Sequence, residues 1–251
     1  MLDAAKLVFR TLRVGFPDNP VVVYGNGLEW FEDKEVEACA KAAGATYQHW
    51  ARRTSHDAWL EALIMDRPDP FWICDTDVVF FDQAGRDWEP HAAFAGEMEQ
   101  EFFEEWTDTI HMERLHTCVM WIDPVAVRMA MRAWMSRIPL PWGATAQMNL
   151  VRQMFVPSGR GRTMFYDTCA GLWHAGIGAP FGAQRCEAWE HLHCATYADE
   201  ASRAPGLRDM QKIHQAIYAE PQRARGLREK QAEYYKSRST KGAELCHMPP
   251  G

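Results

Sequence analysis

The chain has 251 residues, 47% of them hydrophobic and 24% charged, with 11 Trp and 12 Phe; these proportions exclude disorder over most of its length and supply material for a large core. Lys and Arg number 27 against 34 Asp and Glu, a net charge of -7, which opposes non-specific attraction to nucleic acid or anionic lipid while leaving room for a local basic pocket. Seven scattered cysteines without C-x-x-C spacing argue against a disulfide framework or a zinc ribbon and predict a reducing compartment. Residues Met1 to Lys6 show no charged-then-apolar leader, and no run of about 18 apolar residues occurs anywhere, so the expected location is cytoplasmic, with no transmembrane segment and at most peripheral membrane contact.

Ala5, Val8, Phe9 and Leu12 recur at helical spacing and predict an opening amphipathic helix that ends near Gly15 and Pro17. Pro20 to Tyr24 is β-branched and unbroken, as in a strand buried on both faces, and Gly25-Asn26-Gly27 supplies turn chemistry after it. Val36, Cys39, Ala40 and Ala43 mark a second helix, and Tyr47 to Trp50 a short strand. A third helix carries Trp59, Leu60, Leu63 and Ile64, entered through Thr54 or Ser55. The apolar run Phe71-Trp72-Ile73-Cys74 then ends directly in Asp75-Thr76-Asp77.

This alternation predicts an α/β fold: a doubly wound, mostly parallel sheet with helices on both faces. Glu97, Glu99 and Glu101 interleave with Phe94, Met98 and Phe102, which reads as one strand with an acidic wet face. Thr117 to Ile122 predicts another inner strand, and Asp123-Pro124 a helix start, with Val127, Met131, Trp134 and Met135 turned inward. Residues 1–200 are expected to form one catalytic domain. Residues 201–251, rich in Arg, Lys, Glu, Gln and Ala, are expected to form a peripheral helical extension of it, with Met210, Ile213 and Ile217 as a thin apolar stripe and a frayed last dozen residues.

Two carboxylates two residues apart at the end of a buried strand can point into the crevice where ligands of such sheets bind. At about 4 Å and an effective dielectric of about 20 their repulsion is on the order of 4 kcal/mol, so the pair needs a proton, a cation or separation. Mg2+ or Mn2+ suits hard oxygen ligands and leaves positions for phosphate oxygens. The plainer reading has Asp77 opening a turn and Asp75 capping a backbone group.

The segment Phe71-Trp72-Ile73-Cys74-Asp75-Thr76-Asp77-Val78-Val79-Phe80-Phe81 resembles the metal-binding Asp-x-Asp strand end of GT-A-type glycosyltransferases, enzymes that use nucleotide sugars. The resemblance spans roughly residues 5 to 197, on short motifs. In that family a His near the end of the domain, in a segment like His-x-x-Gly-x-Ser/Thr, often completes the metal site. Glu190-His191-Leu192-His193-Cys194-Ala195-Thr196 matches that spacing with His191. The resemblance thus implies Asp75, Asp77 and His191 as ligands of Mn2+ or Mg2+, with His193 on the same face of an extended segment as the alternative to His191. A zinc site that added Cys194 would lack a second pair of soft ligands. The resemblance further implies a nucleotide-sugar donor, a UDP-sugar first, with Asn26 and Thr76 as candidate contacts to the nucleotide and an acceptor that the sequence does not identify.

Two departures from the family pattern stand out. Family members begin with a strand that contacts the nucleotide base, whereas this sequence opens in the following helix, so either a first strand is missing from this sequence or the elements are matched to the family out of register. Inverting members place an acid at a helix start in the second half, and Trp142 to Asn149 contains none; Asp167 and the Glu97 to Glu101 group are weak substitutes, so no catalytic residue is assigned. One rival is a phosphohydrolase of the haloacid dehalogenase type, with Asp75 as nucleophile and Asp77 as general acid. Its motif would sit unusually far into the chain, and no downstream Asp-Asp pair accompanies it. Another rival is a non-catalytic nucleotide-binding relative. The acidic balance disfavours nucleic acid, and Arg223, Arg225, Arg228 and Lys230 read as a solvated helix face.

Overall fold

Helical and strand periodicities in the first third of the chain translate into elements nearly where the apolar residues place them. The structure, a computed structural model, describes residues 2–86, 88, 91–104, 107–137, 150–158, 161–192, 215–217 and 219–225. The order opens α1 (Leu2–Gly15), β1 (Val22–Asn26), α2 (Trp30–Ala42), β2 (Thr46–Trp50), α3 (His56–Asp66) and β3 (Phe71–Cys74). It continues with β4 (Val78–Phe80), β5 (Phe94–Glu99), β6 (Phe102–Glu104), β7 (Thr109–His111), β8 (Arg114–Ile122), α4 (Pro124–Met135), β9 (Met154–Pro157), β10 (Thr163–Tyr166), β11 (Ala179–Pro180) and β12 (Trp189–His191). Single helical turns lie at Ala170–His174 and Ala183–Cys186, and a 3-10 turn at Pro221–Ala224.

The fold is mixed α/β, and its sheets are small: β1-β2, β6-β7-β10-β9, β11-β5-β8-β3 and β12-β4. β1 with β2, β7 with β10 and β5 with β11 run parallel. The pairs β9–β10, β4–β12, β5–β8 and β6–β7 run antiparallel. Parallel neighbours need a crossover of about a dozen residues or more. The helix α2 provides one between β1 and β2, whereas β6 and β7 are joined only through 105–108 and can pair only as a hairpin.

The acidic segment also differs from its expected form. β5 stops at Glu99 and β6 starts at Phe102, and a bulge between Gly96 and Glu97 shifts the register against β8. The pairing steps from Gly96 opposite Met120 to Glu97 opposite His116, so three extra residues of β8 stand against a single step of β5. Glu97, Met98 and Glu99 are all half-buried, and no continuous acidic face forms.

The described residues fall into two compact units, one drawn from 1–54, 74–89 and 182–228, the other from 55–73 and 90–181. In the first, α1 lies along β4. Gly15 permits this closeness, since a Cβ there would sit 2.5 Å from the Phe80 ring, and the Phe80 N–H donates to the Thr11 hydroxyl at 3.2 Å. Leu7, Val79, Leu192, Ile217 and Ala224 form the core beneath; each fully buried Leu, Ile or Val contributes about 1.5–3 kcal/mol. Ile217 is thus an inward residue, as expected, while Met210 and Ile213 lie outside the described residues.

In the second unit, Asp123 caps α4 by accepting the Ala126 N–H at 2.9 Å, with Pro124 at the first helical position. Val127 and Met131 enter a core with Leu60, Ile64, Ile73 and Phe94, and Trp134 packs at its margin. Arg128 reaches from α4 to the carbonyls of Ile64 and, at 2.9 Å, Arg67, satisfying acceptors at the end of α3. Among the described residues, no helix is long and apolar enough to cross a membrane.

Candidate metal centre

The site is built on β4. The chain leaves β3 at Cys74, turns through Asp75 and Thr76, and enters β4 at Val78 with Val78, Val79 and Phe80 wholly buried. Strand β12 pairs antiparallel with β4, setting Trp189 opposite Phe80 and His191 opposite Val78. The Leu192 N–H donates to the Asp77 carbonyl at 2.8 Å and extends the ladder one step. That register delivers a side chain from the far end of the chain onto the turn.

His191 Nε2 stands 3.2 Å from Asp77 Oδ1. One ligand atom each from Asp75, Asp77 and His191 lies within 4.8 Å of the others. Asp77 is only 4% exposed, held by the buried strand that follows it, whereas Asp75 is half-buried and Thr76 exposed at the turn's tip. Two donors at right angles about 2.1 Å from one ion stand about 3 Å apart, close to the observed spacing of His191 and Asp77. The same contact serves as a hydrogen bond when Nε2 carries a proton, so ion binding would displace that proton.

Two carboxylates and one imidazole fit a divalent cation. The oxygens suit Mg2+ and Mn2+, the imidazole favours Mn2+ over Mg2+ and is also compatible with Zn2+, and three protein donors leave positions for other oxygens. Cys74, which ends β3, lies outside this donor set, and burial, assisted by the Asp75 charge, pushes its thiol up to about 12.

Other residues singled out from the sequence lie in different settings. Asn26 ends β1, and both ends of its amide are engaged: Nδ2 donates to the Thr54 carbonyl at 2.7 Å, and Oδ1 accepts the Thr54 N–H at 2.9 Å. It pins the loop after β2. Glu99 and Asp167 flank one guanidinium, with Arg114 Nε 2.6 Å from Glu99 and Nη1 2.6 Å from Asp167. Asp167 also accepts from Gln153 Nε2 at 2.6 Å and from the Thr168 N–H at 2.7 Å, so both acids serve an ion-pair network. Glu101 is exposed between β5 and β6. His193, Cys194, Thr196 and the stretch 142–149 lie outside the described residues.

Sequence reasoning missed one polar cluster. Asp33, buried on α2, accepts the Tyr47 hydroxyl and pairs with His49 Nδ1 at 2.9 Å. Burial works to raise the Asp33 carboxyl, but the hydrogen bonds from Tyr47 and His49 outweigh it and hold the group below its ordinary value. Burial and the Asp33 charge drive the Tyr47 phenol upward. The two-residue spacing of Tyr47 and His49 on β2 was the available signal, since it puts both on one face. Comparison of the chain with protein-family models, with curated proteins and with solved structures gave no match.

Proposed function

We propose that the chain is a divalent-metal-dependent glycosyltransferase of GT-A type, moving a sugar from a nucleotide-diphosphate donor, a UDP-sugar first, to an acceptor hydroxyl. The observation that supports this reading is the approach of His191, 114 residues away in sequence, to Asp77 at 3.2 Å, beside Asp75. A turn-opening Asp and a capping Asp would need no such partner. The parallel β1–α2–β2 unit is also of the kind a GT-A fold requires.

Asp75, Asp77 and His191 would hold Mn2+ or Mg2+, and the ion bound there would offset negative charge on the departing diphosphate. Buried Asp77 and strand-held His191 fix the donor set in place, so little reorganisation accompanies binding. Thr76 offers its hydroxyl at the exposed tip of the same turn. An imidazole inserted beside the carboxylate pair favours ion holding over the phosphohydrolase alternative, in which Asp75 attacks as a nucleophile and Asp77 donates a proton.

The test is incubation with a panel of nucleotide sugars, with and without Mn2+, and separately with an aryl phosphate. Metal-dependent UDP release that disappears in His191→Ala is the expected outcome. Phosphate release from the aryl ester without UDP release would replace the transferase reading by the hydrolase one.

A further inference from the structure

Strands β4 and β12 pair over only three positions, Val78 with His191, Val79 with Glu190 and Phe80 with Trp189, yet the approach of His191 to Asp77 depends on that register. A slip of one residue turns each side chain to the opposite face. A slip of two keeps the face and carries His191 about 6.6 Å along the strand, about twice the 3.2 Å that separates its Nε2 from Asp77. Two backbone bonds close the pairing, from the Phe81 N–H to the Ala188 carbonyl and from the Leu192 N–H to the Asp77 carbonyl, both at 2.8 Å. Bonds of this kind form in any register that keeps two strands alongside each other. Trp189 and Phe80, both wholly buried, oppose a slip through packing.

Arg185 opposes it through directed hydrogen bonds. It lies in the helical turn Ala183–Cys186, just before β12, and reaches over to the segment that follows β4. Its guanidinium donates to the Ala84 carbonyl at 2.5 Å and to the Arg86 carbonyl at 2.9 Å, and its Cζ stands 4.9 Å over the Trp88 ring. Ala84 lies seven residues after Asp77, and Arg185 seven residues before Leu192, so this contact continues the register that joins Asp77 to Leu192. The acceptor is itself held in place: Ala84 is buried, and its N–H donates to the Gly15 carbonyl of α1 at 3.0 Å. A slip of β12 would draw the guanidinium off both carbonyls and take its donor from the buried one, an expensive loss. A lysine ammonium cannot reproduce the two-pronged contact.

We infer that Arg185 is a positioning residue of the candidate metal centre, acting through the β4–β12 pairing whose register brings His191 to Asp77. The register claim stands on the strand pairing alone; its consequence for Mn2+ affinity rests on the metal reading. Charge and position predict opposite signs. Removal of a cation from the unit that holds the ion would by itself favour Mn2+ binding, so weaker binding in Arg185→Ala marks a displaced His191. When slipped registers hold about nine-tenths of the population, the apparent affinity falls about tenfold.

The experiment measures pairing and affinity separately, on the full chain below its melting transition. Val78 and His191 lie one step inside the bonded pair of Asp77 and Leu192. They therefore form a close, non-hydrogen-bonded pair, with Cα atoms about 4.5 Å apart and a strong Hα–Hα contact in NMR spectra of the metal-free protein. Arg185→Ala is expected to lose most of that contact and to bind Mn2+ about tenfold more weakly in titration calorimetry. Arg185→Lys, which keeps the charge without the fork, is expected to fall between it and the parent. The inference is overturned if folded Arg185→Ala keeps the parent's Val78–His191 contact, or if it binds Mn2+ as tightly as the parent. Should the alanine variant fail to fold, the lysine variant is read by the same two criteria. A parent that shows the contact but binds no Mn2+ sinks the metal reading, and the contact in Arg185→Ala alone then decides the role of Arg185.

Discussion

Replacing Asp77 by Asn should move stability in opposite directions with and without metal. The substitution keeps the shape of the side chain and an oxygen facing His191, and removes one negative charge from a pair whose oxygens lie within 4.8 Å. At an effective dielectric of about 20, two such charges repel by about 3 kcal/mol. Solvent around half-buried Asp75 and the hydrogen bond to His191 reduce this, leaving about 1–2 kcal/mol. A chain of this length gains about 2–4 °C in melting temperature per kcal/mol. In EDTA at pH 8 the variant should therefore melt about 2–8 °C above the parent. With Mn2+ at about a hundred times its Kd, the parent gains about 2.7 kcal/mol and the variant gains almost nothing, which brings the parent level with it or beyond. Differential scanning fluorimetry across a Mn2+ titration measures both arms. A variant that keeps the full Mn2+ response would refute the assignment of Asp77 as a ligand, and one that melts below the parent in EDTA would refute the repulsion argument.

Two further outcomes concern the first unit away from the metal centre. Gly25→Ala would place a Cβ 1.7 Å from the Tyr47 hydroxyl and 2.8 Å from Asp33 Oδ1, so the phenol must leave Asp33; a loss of about 1–3 kcal/mol in urea unfolding is expected, and a neutral effect would mean that Tyr47 relaxes freely. Asp33 is depressed below its ordinary 3.8 in the folded state, so its contribution is complete above about pH 4 and is lost as pH falls through the lower folded value. Asp33→Asn should accordingly be less stable than the parent at pH 7 and converge with it in acid, as followed by denaturation at stepped pH; a constant gap down to pH 2 would contradict the sign.

The local signals read well because their causes are local. Asp123 and Pro124 declare a helix start through a cap and a missing N–H, and the structure shows both. Phe71 to Cys74 declares a strand by its apolar run, which sets Asp75 and Asp77 where it ends. His191 was reachable from the sequence only through family resemblance, since nothing near residue 191 indicates that β12 pairs with β4. Pairing itself was the illegible part. The bulge after Gly96 and the position of Arg114 between Glu99 and Asp167 depend on which strand lies beside which, a property of distant residues. Asn26 illustrates the same limit: that its amide bonds to the Thr54 backbone, 28 residues away, depends on the pairing of β1 with β2. The meeting of Phe102, His111, Phe165 and Phe155 in the second unit likewise exists only as a register across four short strands, none of which has a distinctive sequence of its own.

The late arrival of His191 also makes the centre a reporter of completed folding. During synthesis, both carboxylates emerge more than a hundred residues before the imidazole that joins them, and the three donors meet only once β12 has docked along β4. A nascent or clipped chain ending before Trp189 would carry the acidic turn without its third donor. On the proposed metal reading, such a chain would hold the ion through two carboxylates alone and bind it more weakly than the chain that includes β12.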